Sequence, residues 1–212
     1  LQQKRLPGVD NPLCGRPIID FLTAAYRKTG DEKYAESAVV FFENALKQYQ
    51  KQKTGPGTLG ISFTTGNSNV AGWLGCLPFL LKSPVFTDVL VDKIITAATD
   101  LLDYLHDNIG QGNMNWRLAH ADSLLLNALR LEGVVDNSTR WKKLGIDALN
   151  DAFHRQWLPD GVHIEKNPHY HMWPLCMMDS IHELGRKMPE LGIVITVDQL
   201  SRMWDYALAA TL

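Results

Sequence analysis

Apolar residues recur every three or four positions through almost the whole chain, broken only by Gly, Pro and Asp punctuation. That period belongs to the α-helix and conflicts with the two-residue period of a half-buried strand. Ile18 to Arg27 follows it and stops at the Gly30-Asp31 turn signal. Glu32 to Tyr49 follows it with Ala35, Ala38, Val39, Phe42, Ala45 and Leu46 on one face, and Asp31 is placed to cap its start. Further helices are expected over Val70 to Leu81, Asp88 to Asn108, Trp116 to Leu131 and Thr139 to Gln156, the last with Ser138 as cap. Asp160-Gly161 reads as a turn and Val162 to Glu165 as briefly extended. Asn167 followed by Pro168 is a favoured helix opening, and that helix runs to about Lys187. A last one is expected over Gln199 to Ala210 with Asp198 as cap. Gln50 to Asn69, with Gly55, Pro56, Gly57, Gly60 and Gly66, is a long loop with a short extended piece at Leu59 to Phe63. The expected architecture is a single all-α domain of packed, antiparallel helix hairpins covering 1–212.

Composition narrows the function classes. A content of 45% hydrophobic and 21% charged residues is that of a globular protein with a real core, which excludes disordered and fibrous chains. The net charge is −2 and no long basic run occurs, so charge gives no support to a nucleic-acid or membrane-surface partner. A local basic groove for an anionic polysaccharide remains compatible with that balance. No apolar stretch approaches the length of a membrane span. The opening LQQKRLPGVD lacks the apolar core of a signal peptide and begins without Met, so the chain reads as a mature or trimmed product. Its end, directly after an apolar helical run, reads as a truncation. Cys14, Cys76 and Cys176 lie far apart without CxxC spacing, which makes a cysteine zinc site improbable, and Cys176 within an apolar helix reads as a buried thiol.

Two segments concentrate chemistry. DGVHIEKNPHYHMW, Asp160 to Trp173, packs Asp160, His163, Glu165, His169, Tyr170 and His171 into a dozen residues. Tyr170 and His171 fall in the first turn of a helix, where unpaired backbone N–H groups and the positive dipole end favour an ionised phenol. The plain alternative is that Tyr170 and Trp173 are core aromatics and the histidines are solvated. In the second segment, Gly112 to Arg117, a glycine-containing loop opens a helix on which Asn115 and Arg117 can offer donors to an anion, with His120 one turn on. The alternative there is an ordinary Asn cap. A metal held by His163, Glu165, His169 and His171 is disfavoured, because His169 and His171 are two apart at a helix start and no HExxH occurs. No cofactor motif is present: GxGxxG opening a helix after a strand, GxxxxGK[ST] and GxSxG are all missing.

The order of these parts resembles the heparinase II/III-like and alginate-lyase group of polysaccharide lyases. That group carries a run of the form DG…E-x-x-x-x-YH, here Asp160-Gly161, Glu165 and Tyr170-His171, and an Asn at the start of an upstream helix, here Asn115 followed by Trp116. The stretches LAHADSLLLNALRLEG and FLTAAYRKTGDEKYAESAVVFFENAL are also similar, so the likeness spans about residues 17 to 212. It implies an incomplete (α/α) toroid whose companion C-terminal β-sandwich is missing from this chain, and a secreted or periplasmic lyase that cleaves a uronate-containing polysaccharide by β-elimination without a cofactor. In such lyases a Tyr serves as base, acid or both and an Asn helps neutralise the substrate carboxylate. Tyr170 and Asn115 inherit those roles, with His171 as a catalytic partner and Trp116, Arg117, His120, His163 and Glu165 as substrate contacts. Many members place a His beside the Asn; Trp116 stands there instead, and His120 or His171 is the available substitute. Two other readings remain open: an α/α-toroid glycoside hydrolase, for which Asp122, Asp160 and Glu165 are the available carboxylates, and a non-catalytic sugar-binding module using some of the six Trp.

Overall fold

The computed structural model describes residues 15–54, 72–109 and 114–210, and among them the architecture is helical throughout. The short extended piece expected at Leu59 to Phe63 and the glycine turn before Asn115 lie outside the described residues, as do Cys14 and the side chains of His169 and Tyr170. In chain order the helices are α1 (Gly15–Thr29), α2 (Glu32–Thr54), α3 (72–80), α4 (Asp88–Asn108), α5 (Met114–Arg130), α6 (Ser138–Gln156), α7 (Pro168–Lys187), a 3-10 turn at Pro189–Leu191 and α8 (Val197–Ala209). No helix among the described residues is long and apolar enough to cross a membrane. The chain divides into two compact units, residues 1–104 and 105–212.

In the first unit, α1 buries Ile19, Leu22, Thr23 and Tyr26, the spacing its periodicity demands. It ends where Gly30 takes a φ of +65° and its N–H meets the Tyr26 carbonyl at 2.8 Å. Asp31 then caps α2, its Oδ1 accepting from the Lys33 N–H at 3.1 Å. α2 buries Ala35, Ala38, Phe41, Phe42 and Ala45, with Val39 and Leu46 only partly covered. Phe42 is the pivot of this core, its ring edge-on to Phe41, Trp73 and Phe86 at 5.7, 5.9 and 5.8 Å.

In the second unit, α5 and α6 form a hairpin around Leu118, Ala121, Leu124, Leu125 and Ala128 on one side and Trp141, Ala148, Leu149, Ala152 and Phe153 on the other. The backbones approach closely at Gly145, where a Cβ would sit 2.8 Å from the Leu125 nitrogen. α7 buries His171, Leu175, Met178 and Ile181. Cys176 falls on the opposite face and is exposed, which corrects the expectation of a buried thiol: one residue past Leu175 is about 100° round the helix. α8 begins earlier than expected. Thr196, not Asp198, is its N-cap, and Thr196 with Gln199 forms a complete capping box. Ser138 lies inside α6, whose N-cap is Asn137.

Between α6 and α7 the chain makes a tight strap against α8. Trp157 and His163 pair as an isolated antiparallel bridge, closed by Leu158 N–H to the Val162 carbonyl and Ile164 N–H to the Gln156 carbonyl, both at 2.9 Å. Asp160 Oδ1 accepts from the Val162 N–H at 3.1 Å, the Asx turn that an Asp-Gly pair favours. Gly161 sits at φ +87°, and a Cβ there would lie 2.5 Å from both the carbonyl carbon and oxygen of Arg202 on α8. Gly161→Ala is therefore expected to destabilise the fold by about 2 kcal/mol or more, from φ strain and a backbone clash together. In a thermal melt that is a fall of about 4 °C or more; an unchanged melting temperature would mean the strap does not pack on α8 this way.

Candidate active site

The strap is fixed by two buried histidines with complementary hydrogen bonds. His171, in the first turns of α7 and 1% exposed, has Nε2 2.9 Å from the Met203 carbonyl of α8. A carbonyl only accepts, so Nε2 carries the proton. Its Nδ1 accepts the His163 backbone N–H at 3.3 Å. His163, wholly buried, repeats the pattern: Nδ1 accepts the Glu165 N–H at 3.4 Å, which leaves Nε2 to donate to Gln156 Oε1 at 3.3 Å. Burial, with the neighbouring His171 adding to it, pushes the His163 pKa down to about 4. Trp157 packs edge-on against both rings, at 5.1 Å from His163 and 5.2 Å from His171, and the Tyr206 ring lies tilted against His171 at 4.6 Å. Each histidine is a strut whose two nitrogens are already engaged. Gln156, Trp157, Met203 and Tyr206 escaped the sequence reading, since a buried His on an apolar face signals that it needs partners without saying which.

These struts set the position of Glu165 and of the start of α7. Lys166 follows at φ +51°, a left-handed residue that turns the chain from the bridge toward Pro168. Glu165 Oε2 then lies 3.5 Å from Nδ2 of Asn115 in the first turn of α5, fifty residues away in sequence. Asn115 is 8% exposed, and its Oδ1 is buried without a hydrogen-bond partner among the described residues. The contact is long for a hydrogen bond. It orients the amide and leaves a second Nδ2 proton uncommitted among the described residues. Tyr170 is the third residue of α7. Pro174, inside the same helix, has no N–H to give the Tyr170 carbonyl, so the first turn leans on His171 and the strap rather than on a full backbone ladder.

The other candidate residues go to different places. Trp116 is 39% exposed beside Asn115. Arg117, about 200° round α5 from Asn115, pairs through Nη2 with Asp151 of α6 at 3.2 Å, and Asp151 also holds Arg155 at 2.6 Å; its guanidinium ties the hairpin together. His120 is 1% exposed, and desolvation alone takes its pKa down to about 4. Among the described residues no group of three or more His, Cys, Asp and Glu side chains is arranged to hold a metal.

The fold and the strap together define an all-α helix-hairpin protein whose polar site is assembled at the starts of two helices. The family model described as the heparinase II/III N-terminus matches residues 13–196, and the chain belongs to that family. It is 26% identical over 171 residues to a heparin-sulfate lyase of Bacteroides thetaiotaomicron, covering 78% of this chain and 24% of that one. It is 27% identical over 155 residues to a heparin-sulfate lyase of Pedobacter heparinus, covering 71% of this chain and 23% of that one. The crystal structure of heparinase III superposes with a TM-score of 0.77 at 21% identity, over 89% of this chain and 29% of that one. The all-α expectation holds, and the match to part of a longer solved chain is what an incomplete (α/α) toroid gives. The chain spans about a quarter of the length of the curated relatives it matches.

Proposed function

We propose that this chain is the helical part of a polysaccharide lyase that cleaves a uronate-containing, glycosaminoglycan-type polymer by β-elimination. The observation that carries the reading is the meeting of Asn115 and Glu165 from fifty residues apart, next to a helix start that holds Tyr170. A uronate has a hydrogen at C5 beside its carboxylate. Removing it spreads negative charge onto that carboxylate, so donors must offset the charge first. Asn115 supplies its spare Nδ2 proton. Tyr170 takes the C5 proton and returns one to the O4 leaving group, which departs as the C4–C5 double bond forms. Half-exposed Trp116 offers a sugar-stacking face, and Glu165 orients the amide. His163 and His171 position the strap, and His120 supports α5 from within. A further C-terminal β-sandwich would close the cleft, and we read the protein as secreted or periplasmic, where such polymers are met.

The natural full-length protein is expected to release unsaturated uronides, followed by ultraviolet absorbance, from a glycosaminoglycan. Asn115→Ala should slow this about 100-fold or more, the scale of one lost charge-stabilising donor. Asn115→Asp should be worse than alanine, because it sets a carboxylate against the uronate. A product of hydrolysis, with no new double bond, would replace this reading with a hydrolase.

A further inference from the structure

Three hydrogen bonds join the start of α5 to the end of α6 through the strap, and all of them donate in the same direction. Asn115 Nδ2 donates to Glu165 Oε2 at 3.5 Å. The Glu165 backbone N–H donates to Nδ1 of His163 at 3.4 Å. His163 Nε2 then meets Gln156 Oε1 at 3.3 Å. Gln156 is the last residue of α6 and is 2% exposed. It grips the strap twice, since its backbone carbonyl also accepts the Ile164 N–H at 2.9 Å. The groups packed around His163 are Gln156 and Trp157 of α6, His171 of α7 and the Glu165 backbone. Of these only His171 titrates near neutral pH, and its own Nε2 is held by the Met203 carbonyl.

We infer that Gln156 is a positioning residue for the Asn115–Glu165 site, acting by fixing the tautomer of His163. A backbone N–H can only donate, so the Glu165 N–H needs a bare Nδ1. The ring proton must then sit on Nε2, and a buried Nε2–H needs an acceptor. Gln156 Oε1 is the acceptor that stands there. Turned over, the same amide would present its NH2 to a bare Nε2 and select the other tautomer. The His163 Nδ1–H and the Glu165 N–H would then be two donors facing each other. A carboxylate at this point would favour the imidazolium, which protonates Nδ1 and expels the Glu165 N–H in the same way. A neutral acceptor keeps the ring neutral and its Nδ1 bare, in keeping with the pKa of about 4 that burial gives His163. Because the donors point one way, losing the last acceptor loosens each link before it. Asn115 is then held less well against charge that develops only in the transition state. The effect on turnover rests on the lyase reading; the tautomer does not.

The test has two arms, both in the natural full-length protein. The first is NMR at neutral pH with nitrogen-15 in the histidine rings, which distinguishes a protonated from a bare ring nitrogen; His163→Gln assigns the His163 signals. The parent ring is expected as the neutral Nε2–H tautomer, a result that needs no variant at Gln156. Gln156→Met keeps the length of the side chain and removes its acceptor. The tautomer ratio should move toward Nδ1–H about tenfold, the effect of one neutral hydrogen bond. A parent ring protonated at Nδ1, or a ratio that Gln156→Met leaves unmoved, overturns the assignment. The second arm is the rate of unsaturated-uronide formation. Gln156→Met should lower kcat about tenfold or more while KM stays within about twofold, the pattern of an interaction used in the transition state. A merely structural Gln156 would lower the melting temperature without shifting the tautomer or separating kcat from KM. An unimpaired kcat beside a shifted tautomer overturns the positioning role and leaves the lyase reading intact. A parent that forms no unsaturated product overturns the lyase reading instead, and the tautomer result still decides whether Gln156 orders the strap.

Discussion

Tyr170→Phe is expected to lower the rate of unsaturated-uronide formation about 1000-fold or more while leaving the melting temperature close to that of the parent. General acid–base catalysis by one positioned group is worth about 100- to 10,000-fold, and here a single phenol is proposed to serve both proton transfers. Phenylalanine keeps the ring volume and removes only the hydroxyl, so a rate loss with an intact melt isolates the chemistry. The base form is scarce: a free phenol near pKa 10 is ionised to about one part in a thousand at pH 7. A neighbouring positive charge would raise that fraction, and His163, His171 and Arg117 are the candidate cations of the two chemistry-bearing segments. The structure engages all three elsewhere. His163 is held neutral, its pKa near 4, and Arg117 is paired with Asp151. His171 has both nitrogens engaged, one of them accepting an N–H. What remains is the start of α7 itself, where the orphan N–H groups and the dipole favour an anion. Full activity in Tyr170→Phe, with the ultraviolet product still forming, would remove Tyr170 from the mechanism.

The fold was largely legible in the sequence because helical period is a local property. Every expected helix has a counterpart, and the shifts occur at ends, where caps compete. Thr196 displaced Asp198 because a Thr with Gln three residues later satisfies two backbone N–H groups at once. Burial on a given face was less legible. Phe41 and Phe42 are both fully buried, although adjacent positions diverge by about 100°, because partners pack on α2 from two sides. Cys176 shows the reverse case.

The candidate site was legible only in its residue types. Its geometry depends on contacts that no spacing rule reaches, such as Asn115 to Glu165 across fifty positions. The histidines show the limit most clearly. In the sequence, three His within nine residues suggest reactivity, and a proton-transfer role was expected of His171. The geometry makes His163 and His171 struts, because a ring nitrogen bonded to a backbone N–H or to a carbonyl has no free position for substrate chemistry. The site residues that remain available are those left with unspent capacity, Asn115 above all.

Those struts have a thermodynamic signature, and the second unit is expected to lose stability steeply below pH 6.5. His120 and His163 both have pKa values near 4 in the folded chain, against about 6.5 when unfolded. Between these limits the unfolded chain binds more protons than the folded one, so stability rises with pH through that window. The neutral buried rings are at no disadvantage above pH 6.5, and the penalty grows as pH falls toward 4. A difference of this size corresponds to about 3 kcal/mol for each ring, and two rings give about 6 kcal/mol, comparable with the whole stability of an ordinary domain. The clean interval is pH 6.5 to 5, above most carboxyl titration, where two such rings imply an average slope of about 2 kcal/mol per pH unit. Urea unfolding midpoints across that interval measure it, and a flat profile would mean that the rings are not buried neutral. His163→Gln provides the internal check. It removes one titrating group, so the slope should fall by about half even if the parent stability also drops. It also breaks the Nδ1 contact with the Glu165 N–H that sets the carboxylate facing Asn115. If the lyase reading is right, activity in this variant should fall at neutral pH, where no histidine titration is involved. A halved slope with unimpaired turnover would instead leave His163 holding the strap alone, with no part in aligning the site.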